Sequence, residues 1–415
     1  MNRLVLIGNG FDLAHGLKTS YADFIDWYWD YRMHKFADEN YLYESKDLLC
    51  SFKILHKHNE DRETWGTLAF ANNYFRSIPA LGKEYVGKDV IASIINDKEH
   101  FETTFYPLLA KITQGVDDKY WSGIERDYYD LLKQFALEEK DATKVEELNR
   151  QLHFLQELLI TYLKSEEEKG ITKNQHIWDE IYAPINASEI SATAEKYWKV
   201  HLSNGYNSNS ERMQEKMNRY GLSRACLKEI SKFKEIHRHD PFREDSPQLL
   251  RLPEKIMLVN FNYTSTPIEY LNSNIAELVY IHGKLDEPAS VIFGYGDEVD
   301  VSYKKLQDLN YHECMRNIKS MRYPKAPNYK KVMEFMETAP FQVYVMGHSC
   351  GLSDRTLLSK IFRHKFCTSI KPYFYIDPKT GEDDYDRLIP NISRHLAHMA
   401  DRVVDRNQCT TLKGN

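Results

Sequence analysis

The sequence predicts an α/β fold, a parallel sheet interrupted by a large all-helical insertion, and three observations carry that prediction. A continuous apolar run, LVLI at residues 4–7, opens the chain and stops at Gly8-Asn9-Gly10. Five further strand-like runs, several of them separated by helical patterns, appear only after about residue 250. Between these ends the chain shows almost no strand signal. Strands that alternate with helices form parallel sheets, and strands buried on both faces read as unbroken apolar runs. The first strand is therefore expected in one sheet with the later ones. Residues 1–84 and 251–415 would form the α/β unit and residues 85–250 the insertion.

Beyond the glycine turn, Phe24, Ile25, Trp27, Tyr28 and Tyr31 recur at helical spacing, and TWGTLAFANNYFRSI at 64–78 continues that reading. The clearest helix is KVEELNRQLHFLQELLITYL at 144–163. There Val145, Leu148, Leu152, Leu155, Leu159 and Tyr162 form one apolar stripe opposite charges. The stripe suits packing in a helical bundle, and such stripes also offer a surface for self-association. The polar, Asn- and Ser-rich segment 201–212 reads as a loop. The late strands are IMLVNFNY (256–263), LVYIHG (278–283), SVIFGYG (290–296), QVYVMGHS (342–349) and KPYFYID (371–377). NYKKVMEFMET and DRTLLSKIFRH are helical patterns between them.

Composition narrows the function classes. At 42% hydrophobic and 28% charged the chain is that of a soluble globular protein. A net charge of −6 gives no overall attraction to nucleic acid. Two stretches, KEISKFKEIHRHDPFR and RNIKSMRYPKAPNYKK, are locally basic and read as solvated helix faces. No apolar run approaches the roughly 18 residues that span a bilayer, and the first one is too short for a signal peptide. The six cysteines are scattered without a C-x-x-C pair, which argues against a zinc site and fits reduced thiols in a cytoplasm.

Ligands of parallel sheets bind beyond the carboxyl ends of the strands, so the polar residues there are the ones to inspect. They are Gly8, Asn9, Gly10 and Asp12 after the first strand, and Asn260, Asn262 and Thr264 after IMLV. His282 and Gly283 follow LVYI, then come Gly347, His348 and Ser349, and last Asp377. The glycine turn is not the dinucleotide fingerprint G-x-G-x-x-G. Leu13 occupies the third glycine position, and the next glycine is Gly16.

The set as a whole resembles known families. The opening G-x-G-x-x-x-x-x-G is similar to the first nicotinamide-dinucleotide loop of sirtuins and sirtuin-like defence NADases. NFNYT, YIHG and GHSCGLSD resemble later segments of the same families. More closely, IGNGFDLAHGLKTSYADF, VNFNYT, YIHG, IFGYG and VMGHS…SD, in that order, resemble the bacteriophage abortive-infection AbiH family. The resemblance implies a Rossmann-like, sirtuin-like sheet and a cytoplasmic anti-phage protein whose substrate is NAD, hydrolysed to nicotinamide and ADP-ribose without a metal. By motif, Gly8, Asn9, Gly10 and Gly16 would cradle the pyrophosphate, with Phe11 and Asp12 in the same loop. Asn262 would face the nicotinamide ribose. His282, followed by Gly283, would be the base, and Gly347, Ser349 and Asp354 would line the adenosine side.

A neutral imidazole suits deprotonation of a water or ribose hydroxyl at cytoplasmic pH, and an asparagine can position either without adding charge. Two departures matter. The sirtuin zinc cysteines are absent, and Asp12 stands where a small hydroxyl residue is usual, which is tolerable if the carboxylate faces a ribose hydroxyl. Such an enzyme would rest inactive until infection. Activation by a phage component or by assembly through the helical insertion is expected. Two other readings remain: a non-catalytic sensor binding a nucleotide or phage component, and a serine hydrolase using Ser349 of G-x-S-x-G with Asp377 and His395 or His398.

Overall fold

The computed structural model describes residues 1–38, 44–55, 87–113, 121–190, 211–236, 245–396 and 402–412. The expected helix at 64–78, residues 201–210 of the expected loop and His398 lie outside them. The central sheet has five parallel strands: β1 (Asn2–Ile7), β5 (Ile256–Asn260), β6 (Ala276–Tyr280), β7 (Phe341–Met346) and β8 (Cys367–Tyr373). Their spatial order is β6-β5-β1-β7-β8. The first strand thus lies in the middle of the sheet, between strands that follow it by most of the chain.

Successive residues of a strand face opposite sides, and both sides of this sheet are packed. Leu4 and Leu6 join Met257, Val259, Val343, Val345 and Ile370 on one face, under the helices Asn328–Thr338, Arg355–Phe362 and Tyr385–Ser393. Val5 and Ile7 join Leu258, Tyr344 and Met346 on the other, against Ile177 and Ile181 of the helix Gln175–Tyr182. That helix is clamped by Arg3. The buried guanidinium donates to the carbonyls of Ile181 (2.9 Å) and Ala183 (2.8 Å) and lies 4.2 Å over the Tyr344 ring.

Three expectations are corrected. First, the segment from 85 is not all helical, and the first 84 residues hold more than one strand. β2 (Glu44–Lys46), β3 (Cys50–Ile54) and β4 (Phe101–Phe105) form a small antiparallel sheet. These strands are short and largely polar (ESK, CSFKI and FETTF), which leaves little apolar signal. Second, residues 290–296 are not a strand of the sheet. Ser290 ends a short helical turn, and residues 291–296 are a buried stretch held by isolated backbone bonds, Ile292 to His282 (2.8 Å), Tyr295 to Asn317 (3.2 Å) and Lys319 to Tyr295 (2.9 Å). Their apolar character reflects burial alone. Third, β8 starts and ends earlier than expected, so Asp377 lies past the strand, in a turn where it accepts from the Lys379 amide (2.7 Å).

The helix Ala142–Glu167 buries its expected stripe, but inside the chain, against Tyr21, Phe24 and Tyr28 of the helix Tyr21–Asp38. The stripe is therefore not available for self-association. Ser20 and Asp23 cap that second helix reciprocally: the Asp23 carboxylate accepts from the Ser20 amide (3.1 Å) and the Ser20 hydroxyl from the Asp23 amide (3.2 Å). Among the described residues no helix is long and apolar enough to cross a membrane.

Candidate functional site

Parallel register brings the strand ends into one row. Tyr280, Asn260, Ile7, Met346 and Tyr373 are successive partners across the sheet. The residues just past this row line a cavity of about 860 Å³, a size suited to a small-molecule ligand. It opens where β1 meets β5 on one side and β7 on the other, at the point where strand order reverses and ligands of open parallel sheets bind.

Of the residues expected at a site, Gly8, Asn9, Gly10, Asp12, Asn262, His282, Gly347, Ser349 and Asp354 line this cavity together. Phe11, Gly16 and Gly283 do not. Phe11 is buried edge-on against Tyr270. Gly16 (φ +82°) closes the short helix Asn9–Ala14 with open space around it. Gly283 (φ +86°) turns the chain under Ser290, whose carbonyl oxygen would stand 2.3 Å from an added Cβ.

The glycines of the two loops serve each other. A Cβ on Gly8 would come within 2.4 Å of the His348 backbone, one on Gly10 within 2.8 Å of Gly347, and one on Gly347 within 2.2 Å of the Phe11 nitrogen. Gly8 donates its amide to Met346, Gly10 to Gly347 and Phe11 to Gly8. The amides expected to cradle a phosphate are thus largely spent on packing the loop after β1 against the loop after β7. Among the described residues, the Asn9 amide meets no acceptor.

Asn262 braces the same loop. Its amide donates to the Gly8 carbonyl (2.9 Å) and to Asp12 Oδ2 (3.1 Å), so only its carbonyl oxygen is left for a ligand. Asp12 Oδ2 also accepts from the Thr264 hydroxyl (2.7 Å), while Oδ1 has no aligned donor. Burial raises the Asp12 carboxyl to about 6, against the lowering effect of Thr264, Thr266 and Asn262. A buried carboxylate oxygen without a donor beside a cavity favours a hydroxyl and repels a phosphate.

Across the cavity stands a buried charged cluster. His282 Nδ1 lies 3.1 Å from the Phe261 carbonyl, which accepts only from a protonated nitrogen, so the neutral ring carries its lone pair on Nε2. Nε2 stands 3.1 Å from Asp354 Oδ1 without the alignment of a hydrogen bond. His348 approaches Asp354 Oδ2 from the other side at 3.6 Å, its Nδ1 accepting from the Cys350 amide (2.9 Å). Lys319 reaches Asp354 Oδ1 (2.8 Å) and Glu125 (2.9 Å).

Burial, and after it the Lys319 ammonium, lowers the His282 imidazole below its usual value, so it is neutral at neutral pH. Burial alone would raise Asp354, but the Lys319 ammonium holds it well below the usual carboxylate range. Burial raises Glu125 against the pull of Lys319. A neutral base beside a fixed carboxylate is the arrangement that takes a proton from a bound hydroxyl or water.

Glu125 and Lys319 escaped sequence reasoning. Glu125 sits in a helix without a motif, and Lys319 sits inside a basic stretch that reads as a solvated face, yet both are buried. Among the described residues, the hydrolase arrangement of Ser349, Asp377 and His395 does not form. His395 Nε2 lies 2.8 Å from the Cys350 carbonyl, which occupies it, and Asp377 is tied to its own turn. Among the described residues no group of His, Cys, Asp and Glu is placed to hold a metal ion, and all six cysteines are unpaired.

A family model described as bacteriophage abortive infection AbiH matches residues 4–375. No curated protein and no solved structure matches the chain.

Proposed function

We propose that this chain, which belongs to the bacteriophage abortive infection AbiH family, acts in anti-phage defence by hydrolysing NAD to nicotinamide and ADP-ribose. The family supports the abortive-infection role. The reaction is our reading of the site, and one observation carries it: His282, on the wall of a cavity at the carboxyl ends of a parallel sheet, has Nδ1 committed to the Phe261 carbonyl and Nε2 3.1 Å from Asp354 Oδ1. The strand order, with β1 central, supports a Rossmann-like and sirtuin-like reading of the sheet.

In the proposed step water adds to C1′ of the nicotinamide ribose as the C–N bond breaks. The bonding pair passes to the pyridinium ring, which leaves as neutral nicotinamide. His282 Nε2 takes the proton from the water, and Asp354 stabilises the imidazolium so formed. The leaving group needs no acid. Asp12, whose buried Oδ1 lacks a donor, suits a ribose hydroxyl over a phosphate, so the phosphates belong toward the Asn9 amide and Arg387 on the cavity wall. The binding-only reading draws on the internal use of the glycine-loop amides.

The test is to follow NAD in infected cells that carry wild type or His282→Ala. Loss of NAD and protection with wild type alone is the expected result. Protection by wild type at constant NAD would leave a binding protein. Activation by a phage-derived component fits a defence protein that must spare its own uninfected cell. Mass and NAD turnover before and after mixing with infected-cell extract test that gate.

A further inference from the structure

We infer that Lys319 is a positioning residue of this site, holding Asp354 between His282 and His348 while Glu125 anchors its ammonium from the helix Trp121–Lys133. The inference rests on His282 being the base. Lys319 starts the short helix Lys319–Arg322, and its amide is fixed to the Tyr295 carbonyl (2.9 Å). Its side chain is 1% exposed and its nitrogen touches two carboxylates from distant parts of the chain, Asp354 at 2.8 Å and Glu125 at 2.9 Å. A buried ammonium demands such partners.

The partners are not equivalent. Glu125 faces the helical segment and the Gly294 amide (3.4 Å), whereas Asp354 faces the two imidazoles. Lys319 therefore sets which oxygen of Asp354 meets His282, and its charge bears on that ring. The groups around His282 are Asp354, Lys319, His348 and the rings of Phe261 and Tyr263. A purely structural ion pair would hold the fold without tuning the imidazole. It is also the route by which the helical segment reaches the base, through Glu125.

The test needs no substrate. Histidine ring resonances of the full chain are followed by NMR against pH, with His282 assigned by its loss in His282→Gln. In wild type His282 is expected to titrate below the ordinary histidine range. Lys319→Met removes the nearby cation, and the His282 titration should rise by about one pH unit, a tenfold gain in proton affinity. Lys319→Arg should restore most of the wild-type value. Should Lys319→Met not fold, Glu125→Gln gives a second reading: the whole Lys319 charge then turns to Asp354, and His282 should titrate lower still. An unchanged His282 titration in a folded Lys319→Met or Glu125→Gln chain overturns the inference. NAD turnover by wild type is a separate measurement, so failure of the proposed reaction would not be mistaken for failure of this one.

Discussion

His282 Nε2 and Asp354 Oδ1 stand 3.1 Å apart, one past the end of β6 and the other past the end of β7, strands separated in the sheet by β5 and β1. The pair closes over the middle of the sheet and joins two loops that are remote in the chain. Its first consequence is kinetic. Replacing His282 by Ala removes the base, and NAD cleavage should fall by about 10²–10⁴-fold. Release of nicotinamide by purified protein measures this, and a variant that retains full turnover would remove His282 from the mechanism.

The same pair sets a pH dependence. Because the folded His282 titrates below its ordinary value, the base form persists on the acid side of neutrality. The acid limb of kcat/KM should therefore lie below the ordinary histidine value of about 6.5. For stability the sign is opposite to that of a His gaining a partner. The unfolded chain binds the proton first, so His282 costs stability as pH falls through about 6.5 toward its folded value. An acid limb above the ordinary value would contradict the assignment.

Asp12 titrates the other way. Its folded carboxyl is raised from 3.8 to about 6, so the folded chain holds the proton longer and loses stability as pH rises between those values. Asp12→Asn escapes that loss. Its stability relative to wild type should grow by about 2 kcal/mol between pH 4 and pH 7, taking about 1.4 kcal/mol per unit. Denaturant unfolding at the two pH values checks it, and equal differences at both would show that the carboxyl is not perturbed.

Gly347 and Gly16 share a positive φ and should respond differently to Ala. At Gly16 nothing lies within 4 Å of the new Cβ, so only the backbone strain of about 1–2 kcal/mol is felt. At Gly347 the Cβ meets the Phe11 nitrogen at 2.2 Å, and the two loops must part. The loss there should exceed that at Gly16 by 2 kcal/mol or more. Unfolding midpoints decide it, and similar losses at both positions would refute the close packing of the loops.

Asn262→Ala should not leave the fold untouched, contrary to what a polar strand-end residue suggests. It removes one donor from the Gly8 carbonyl and one from Asp12 Oδ2, which keep the Phe11 amide and the Thr264 hydroxyl, at about 1 kcal/mol for each lost hydrogen bond. Loss of NAD cleavage in this variant is therefore read only beside its thermal midpoint. An unchanged midpoint would mean that the brace is not formed.

The sequence alone determined the parallel sheet, because strands buried on both faces must be unbroken apolar runs. It also determined the residues that end them, because polar groups stop such runs where the chain leaves the sheet. Asn262, His282 and the loop after β1 were legible on that ground, as was the stripe of the helix Ala142–Glu167. The AbiH motifs carried the family. The short antiparallel sheet was not legible, since its short, largely polar strands look like surface, and the buried stretch 291–296 looked like a strand because burial and strand pairing leave the same apolar trace.

What each residue inside the site touches was decided only by tertiary structure. A glycine permits close approach of anything, and the sequence does not say whether that is a phosphate or, as here, the backbone of Gly347 and His348. A lysine in a basic stretch reads as solvated. Lys319 is buried because Asp354 and Glu125 converge on it from other parts of the chain. Local pattern reports which face of an element is apolar, whereas charge pairing and hydrogen-bond direction depend on what distant segments bring to the same few ångströms.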